Sequence, residues 1–356
     1  MGHMTPERTW IEVRLSALVA NARTVAARNA HARLLPMVKA NGYGLGAVPV
    51  ARALEALDPW GFGVATAEEG AELRRAGIGR PVLVFAPTME ALETVAAQRL
   101  TPALGTSALV ERWLHLAPAL PFHVEVDTGM ARAGFDWREF GVAAAGFASE
   151  PAFEGVFTHF HSADEAPASV REQRERFAAA LAALPRRPAV VHAANSAGAL
   201  SAPAVGEDLV RPGIFVYGGA VPGYQPEVVV QWRARVIETR WRDAGYTVSY
   251  GATWRLGART CLATIAAGYA DGVRRSLSSR GAALLGGRRL PIAGRVTMDM
   301  TVLDAADREP APGAVATLLG TDGDACLTLD EVAAAAGTIS YEILTGLSGR
   351  VARVYV

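Results

Sequence analysis

The sequence predicts an α/β protein with an N-terminal (β/α)8 barrel followed by a C-terminal mainly-β domain. Three observations carry this. The chain has 356 residues, too long for one core of ordinary size but enough for a barrel of roughly 250 residues with about 100 left over. Up to about residue 220, short apolar runs alternate with longer segments of helical period, the pattern of a parallel sheet buried on both faces. Beyond that point β-rich runs separated by Gly, Pro and Asp take over, the pattern of a sheet built from turns and short strands.

The first expected element is the run 9–13, Thr-Trp-Ile-Glu-Val, which is free to join the C-terminal sheet. A helix near 16–29 follows, with Ser16 as its expected N-cap, because a serine hydroxyl can accept from the unpaired N–H groups of a first turn. Barrel strands are placed at 34–38, 61–65, 82–85, 99–102, 122–126, 155–157, 190–192 and 209–210, with helices at 67–76, 89–98, 108–116 and 169–184. Eight such units close into a barrel more readily than they extend as an open doubly wound sheet, the alternative that fits the same alternation. The barrel is expected over 9–225 and the β-domain over 226–356, with strands near 228–240, 261–267, 282–285, 296–303 and 314–319 and a helix near 329–336. Met1-Gly2-His3-Met4 reads as a cloning remnant and is set aside.

Composition excludes several classes of function. Lys+Arg equals Asp+Glu at 35 each, so no basic field draws in nucleic acid. Cys261 and Cys326 are the two cysteines, too few for a disulfide framework and without metal-ligand spacing. The sequence has neither a run of about 18 apolar residues nor a leader pattern, and the expectation is a cytoplasmic protein with no membrane partner and no metal.

Of the 35 basic residues, one is a lysine, Lys39. A GC-rich genome accounts for an Arg- and Ala-heavy chain, but not for the single lysine that remains. Guanidinium replaces ammonium wherever a charge suffices, yet it cannot form an imine. Barrel enzymes carry their chemistry at the C-terminal ends of the strands. Those ends hold Lys39, Arg132, His159, Asn195-Ser196 and Arg211. Taken singly, His159 reads equally as a hydrogen-bonded core histidine and Arg211 as an ion-pair partner. The small residues of Ala-Asn-Ser-Ala-Gly (194–198) and Arg-Pro-Gly-Ile (211–214) suit a phosphate corner after strands seven and eight. A phosphate corner facing a reactive lysine fits two chemistries: a lysine aldolase on a sugar phosphate, or pyridoxal phosphate held as a Schiff base.

Val38-Lys39-Ala40-Asn41-Gly42-Tyr43-Gly44-Leu45-Gly46 resembles the cofactor-lysine motif of the alanine racemases. Further motifs follow in the family's order: Asp127-Thr128-Gly129-Met130-Ala131-Arg132, Thr158-His159-Phe160, Ala194-Asn195-Ser196 and Arg211-Pro212-Gly213-Ile214. Ser249-Tyr250-Gly251-Ala252-Thr253, Gly268-Tyr269-Ala270-Asp271-Gly272 and Gly294-Arg295-Val296-Thr297-Met298-Asp299 complete the set, which reaches Tyr341-Glu342. The resemblance implies a homodimer with active sites completed across the interface, using pyridoxal 5'-phosphate to interconvert L- and D-alanine and supplying D-alanine for peptidoglycan. It further implies Lys39 as cofactor-bearing residue and base on one face, and the partner chain's Tyr269 as base on the other. Arg132 would bind the substrate carboxylate, with Met298 bordering the pocket. Tyr43, Ser196, Gly213 and Ile214 would hold the phosphate, and His159 and Asn195 would belong to the cofactor site. Arg211 would face the pyridine nitrogen as a hydrogen-bond donor, and Asp299 would act one step removed from the substrate.

Two departures from the family pattern stand out. Where some members carry a tyrosine that touches the phosphate, this chain reads Ser348-Gly349-Arg350; where many carry a carbamylated lysine, it has Glu125. The second encodes a carboxylate directly, expected to orient Arg132. A serine-active racemase and a non-catalytic pyridoxal-phosphate barrel are the competing readings; the β-rich final third argues against the second and against the aldolase.

Overall fold

The computed structural model describes residues 8–202 and 207–356, so the remnant at 1–4 lies outside the described residues. The chain forms two compact units, one of 18–216 with 220–226, the other of the segment up to Ala17 with 217–219 and 227–356.

In the first unit the strands Arg33–Leu34, Phe62–Val64, Val82–Phe85, Thr101–Leu104, Phe122–Asp127, Phe153–Phe157, Val190–His192 and Leu209–Val210 pair in parallel. The first pairs with the eighth. It also bonds to the second, through Trp60 N–H to the Leu34 carbonyl at 2.8 Å, Gly63 N–H to Pro36 at 2.9 Å and Val38 N–H to Gly63 at 2.8 Å. Those bonds close the ring and exclude the open sheet. Leu35, Leu83, Ala103, Phe157, Val190 and Leu209 cluster together with Trp60 and Phe85 against them, the packed filling that makes such a barrel a core and not a pore.

Several expectations shift here: the first strand is only Arg33–Leu34 and the helix placed at 89–98 is Leu92–Ala97. Ser16 is not an N-cap: the helix is Leu15–Arg28, and Ser16 sits inside its first turn. The Arg14 and Leu15 N–H groups bond the Val229 and Val356 carbonyls beside the sheet strands, so the chain passes from the sheet into the helix before Ser16 is reached. The fourth strand starts at Thr101, not 99, because Arg99 takes a left-handed turn at φ +50° to leave the preceding helix.

In the second unit Val230–Arg242 is the central strand, antiparallel to Thr9–Val13, Thr260–Ile265 and Val315–Asp322. Thr9–Val13 joins this sheet as anticipated and also pairs in parallel with Ala352–Tyr355. The strand expected over 296–303 is shorter: only Thr301–Asp304 is extended, because Thr297 N–H bonds back to the Met300 carbonyl at 3.0 Å and makes a turn. Among the described residues, no helix is long and apolar enough to cross a membrane and no cluster could hold a metal ion.

Candidate active site

Lys39 lies just past the first barrel strand and opens an unusual turn. Ala40, Asn41, Gly42, Tyr43 and Gly44 all have positive φ, at 52, 53, 61, 53 and 81°. Left-handed backbone costs a non-glycine residue about 1–2 kcal/mol, so the surroundings must impose it. Gly42 N–H bonds Val38 and Gly44 N–H bonds Ala40, each at 2.8 Å, while the Asn41 side chain accepts from Ala47 N–H at 3.0 Å. Glu69 supplies the outer tie: its carboxylate accepts from Ala40 N–H at 2.6 Å and Ala65 N–H at 2.8 Å, joining the ends of strands one and two. The same glutamate closes a capping box with Thr66. Sequence reasoning missed Glu69, although Thr-x-x-Glu before a helix was the available signal. The turn delivers Tyr43 onto Gly213, where any Cβ would collide with the phenol oxygen.

The Lys39 amine is pushed below its ordinary pKa, chiefly by burial and then by the Arg132 charge; Glu69 pulls it back and Arg211 adds a smaller push down. Arg211 is buried inside the barrel, donating to the Thr158 carbonyl at 2.7 Å, the Ala193 carbonyl at 2.8 Å, His192 Nδ1 at 2.7 Å and His159 Nδ1 at 3.2 Å. Burial lowers its pKa to about 10, which still leaves it charged near neutrality. Since guanidinium only donates, both Nδ1 atoms must accept. His192 then donates through Nε2 to His123 Nδ1 at 2.9 Å, and His123 Nε2 donates to Glu154 at 3.1 Å. A single direction of donation runs from Arg211 down the barrel interior. Burial first, and Arg211 second, hold both His159 and His192 far below the ordinary histidine pKa. His159 is thus both of the things its residue type allowed: packed and hydrogen-bonded, and beside the lysine.

Arg132 follows a turn built by Asp127, whose carboxylate accepts from Gly129 N–H at 2.8 Å and Ala131 N–H at 3.0 Å. Its side chain is exposed, and Glu125 on the same strand is buried. Burial raises the Glu125 pKa, while the Arg132 and then the Arg211 charge oppose that rise, so the carboxylate and both guanidinium groups lie within each other's fields. Gln173, a second residue missed from sequence, bonds the His159 carbonyl at 2.9 Å and Thr128 Oγ1 at 3.0 Å and fixes two strand ends together. At the other corner Asn195 caps the helix Ser196–Ser201, and the Ser196 hydroxyl accepts from Gly213 N–H at 2.8 Å, with Ile214 buried beside it.

The remaining candidates belong to the β-unit. Tyr269 and Met298 sit at the tips of adjacent turns, 43% and 53% exposed. Tyr269 N–H bonds the Thr297 carbonyl and Ala270 N–H that of Met298, each at 2.9 Å. Asp299 pairs with Arg350 at 2.7 Å. Two large exposed side chains on a stiff double turn are suited to being covered by another surface.

Pyridoxal phosphate needs an amine that is readily neutral, a donor for its ring nitrogen and a corner for its phosphate. Lys39, Arg211 and the convergence of Tyr43, Ser196 and Gly213 meet those three demands, so the residues present fit the group. Residues 13–221 match the family model "Alanine racemase, N-terminal domain", and 229–355 match "Alanine racemase, C-terminal domain". An alanine racemase of Symbiobacterium thermophilum is 42% identical across 98% of this chain and 97% of its own length; one of Carboxydothermus hydrogenoformans is 41% identical across 98% and 99%. Among solved structures, the alanine racemase of Streptomyces lavendulae superposes with a TM-score of 0.92 at 35% identity, covering 99% of this chain and 98% of that one. That of Bartonella henselae, described with covalently bound pyridoxal phosphate, superposes at 0.91 and 32% identity, covering 99% and 100%.

Proposed function

The chain belongs to the alanine racemase family, and we propose on that basis that it is a two-base racemase interconverting L- and D-alanine, with Lys39 and a partner chain's Tyr269 as the bases. The enzyme is an isomerase of a pyridoxal-phosphate-dependent family. The observation that carries the reading is the only lysine of the chain, placed directly before a left-handed turn, where burial and two arginines favour its neutral amine. When bound, pyridoxal phosphate supplies an imine-forming carbon and an electron sink that acidifies the α-hydrogen of alanine.

The chain's own residues divide the remaining work. Lys39 holds and returns the proton on one face of Cα. Tyr269 of the partner chain serves the opposite face, because a single fixed base tends to return the proton to the face it left. Arg132 binds the substrate carboxylate through its fork, Glu125 orients that fork, and Met298 limits side-chain length. Arg211 would hold the cofactor's ring nitrogen as a hydrogen-bond donor that keeps its own protons. Tyr43, Ser196, Gly213 and Ile214 would hold the phosphate; His159 and Asn195 would support the cofactor site, His159 through its contact with Arg211 and Asn195 as the helix cap. Asp299 acts through the Met298 turn. The working form is a cytoplasmic homodimer that supplies D-alanine for peptidoglycan.

Circular dichroism of purified protein with L- or D-alanine tests the activity. Both enantiomers should converge on a racemic signal, and Lys39→Ala should abolish the change. Serine belongs in the same assay, because this chain has Gly349 where some family members carry a tyrosine. An active Lys39→Ala enzyme would sink the assignment of the base.

A further inference from the structure

Arg350 occupies a place that the proposed chemistry does not explain. Its Nε donates to Asp271 and its Nη2 to Asp299, each at 2.7 Å. These carboxylates belong to different turns. Asp271 is two residues past Tyr269, and Asp299 directly follows Met298. The turns are already in contact: two backbone hydrogen bonds join them, and a Cβ on Gly268 would collide with the Thr297 and Met298 carbonyls. Asp271 is buried at 3% exposure and uses its second oxygen to accept from Gly268 N–H at 2.8 Å, while its own carbonyl accepts from Ser348 N–H at 3.1 Å. It thus fixes the start of the Tyr269 turn from within and fastens it to the segment that carries Arg350.

We propose that Arg350 is a positioning residue that clamps the Tyr269 turn to the Met298 turn and so sets where the phenol stands relative to the wall of the substrate pocket. The inference rests on the reading that Tyr269 and Met298 serve a substrate site. Exposed ion pairs add little stability, and the Asp299 arm is half exposed, so the value of the clamp lies in geometry. One planar fork reaches two carboxylates at fixed angles, which a point-like ammonium cannot do. Both tips are exposed on their own chain; Thr301 Oγ1, bonding the Ala267 carbonyl at 2.8 Å, ties the bases of the two turns, and the Arg350 fork bonds a carboxylate on each.

The test compares Arg350→Lys, Asp299→Asn and Tyr269→Phe holoenzymes with the parent. Arg350→Lys and Asp299→Asn should keep full pyridoxal phosphate content and an unaltered imine spectrum, yet lose about tenfold or more in kcat, as expected for a misplaced proton-transfer group. The α-deuterium isotope effect should rise for one enantiomer of alanine only, the one whose proton Tyr269 takes. Asp299→Asn removes a half-exposed arm, so it remains informative if an Arg350 variant folds poorly. Equal isotope effects for both enantiomers, or a lowered Tm with unchanged kcat, would overturn the clamp while a nearly inactive Tyr269→Phe leaves the base intact. A fully active Tyr269→Phe would instead remove the base itself, and the clamp with it.

Discussion

At Lys39, burial and the neighbouring guanidinium groups drive the amine toward neutrality while Glu69 resists. Each charge therefore has a sign that can be measured. With one lysine in the chain, trinitrophenylation of the cofactor-free protein against pH reports this amine once the slower-varying N-terminal signal is subtracted. The midpoint should lie below the ordinary 10.5. Arg132→Ala removes a like charge and should move it up; Glu69→Gln removes an opposite charge and should move it further down. Shifts in the same direction would refute this electrostatic account. Glu125 is the second residue-scale case. Its buried carboxylate lies in the field of Arg132, so Glu125→Ala should raise KM for alanine more than it lowers kcat, by about 1.5–3 kcal/mol for a lost charge-assisted contact. Activity should also be indifferent to added bicarbonate, because the carboxylate is encoded and not formed from CO2. An unchanged KM in the variant would remove the orienting role.

The turn after the first strand and the polar chain inside the barrel are devices of whole elements. Glycine takes the left-handed region without steric cost, whereas a Cβ is strained there. At Gly42, moreover, a Cβ would come within 3.1 Å of the Ala47 backbone. Gly42→Ala should therefore lower stability by about 1–2 kcal/mol, whereas Ala40→Gly, at φ 52°, should cost nothing; thermal melts of the pair decide it. Inside the barrel, His159 and His192 stay neutral in the folded state. Below the unfolded histidine value of 6.5 the unfolded chain binds protons that the folded one refuses, so stability is complete above that pH and falls beneath it. The slope is at most about 1.4 kcal/mol per pH unit for each histidine. Glu125, with its raised pKa, works the other way by taking up a proton more readily when folded. Urea denaturation between about pH 5 and 6.5 should show the fall, and His192→Gln should reduce the slope by one proton. A slope unchanged by the substitution would mean that other groups dominate.

Across the molecule, legibility followed burial. Parallel barrel strands are apolar on both faces, so runs such as 82–85 and 190–192 stood out at their true bounds, and topology then placed Lys39, His159 and Arg211 at strand ends. The short strands Arg288–Pro291 and Ala325–Leu327 were not legible, being half exposed and mixed in polarity. Neither were Glu69 and Gln173, helix residues whose side chains bond backbone groups at the ends of distant strands, nor Arg350, whose partners lie 79 and 51 positions away. The largest remaining step is from one chain to two. Lys39 and Tyr269 lie in different compact units, and Tyr269 and Met298 present bare apolar surface on their own chain. If the β-unit of one chain completes the barrel site of its partner, Lys39→Ala and Tyr269→Phe homodimers should both be nearly inactive. Mixed under conditions of subunit exchange, they form heterodimers in which one site has both bases and the other has neither. Random pairing of equal amounts makes about half the dimers mixed, so activity should recover to about one quarter of the parent value. Recovery tracking the heterodimer fraction, followed by native mass spectrometry, supports a shared site. Exchange without recovery would place both bases in one chain, and the exposed Tyr269 would then need a different occupant.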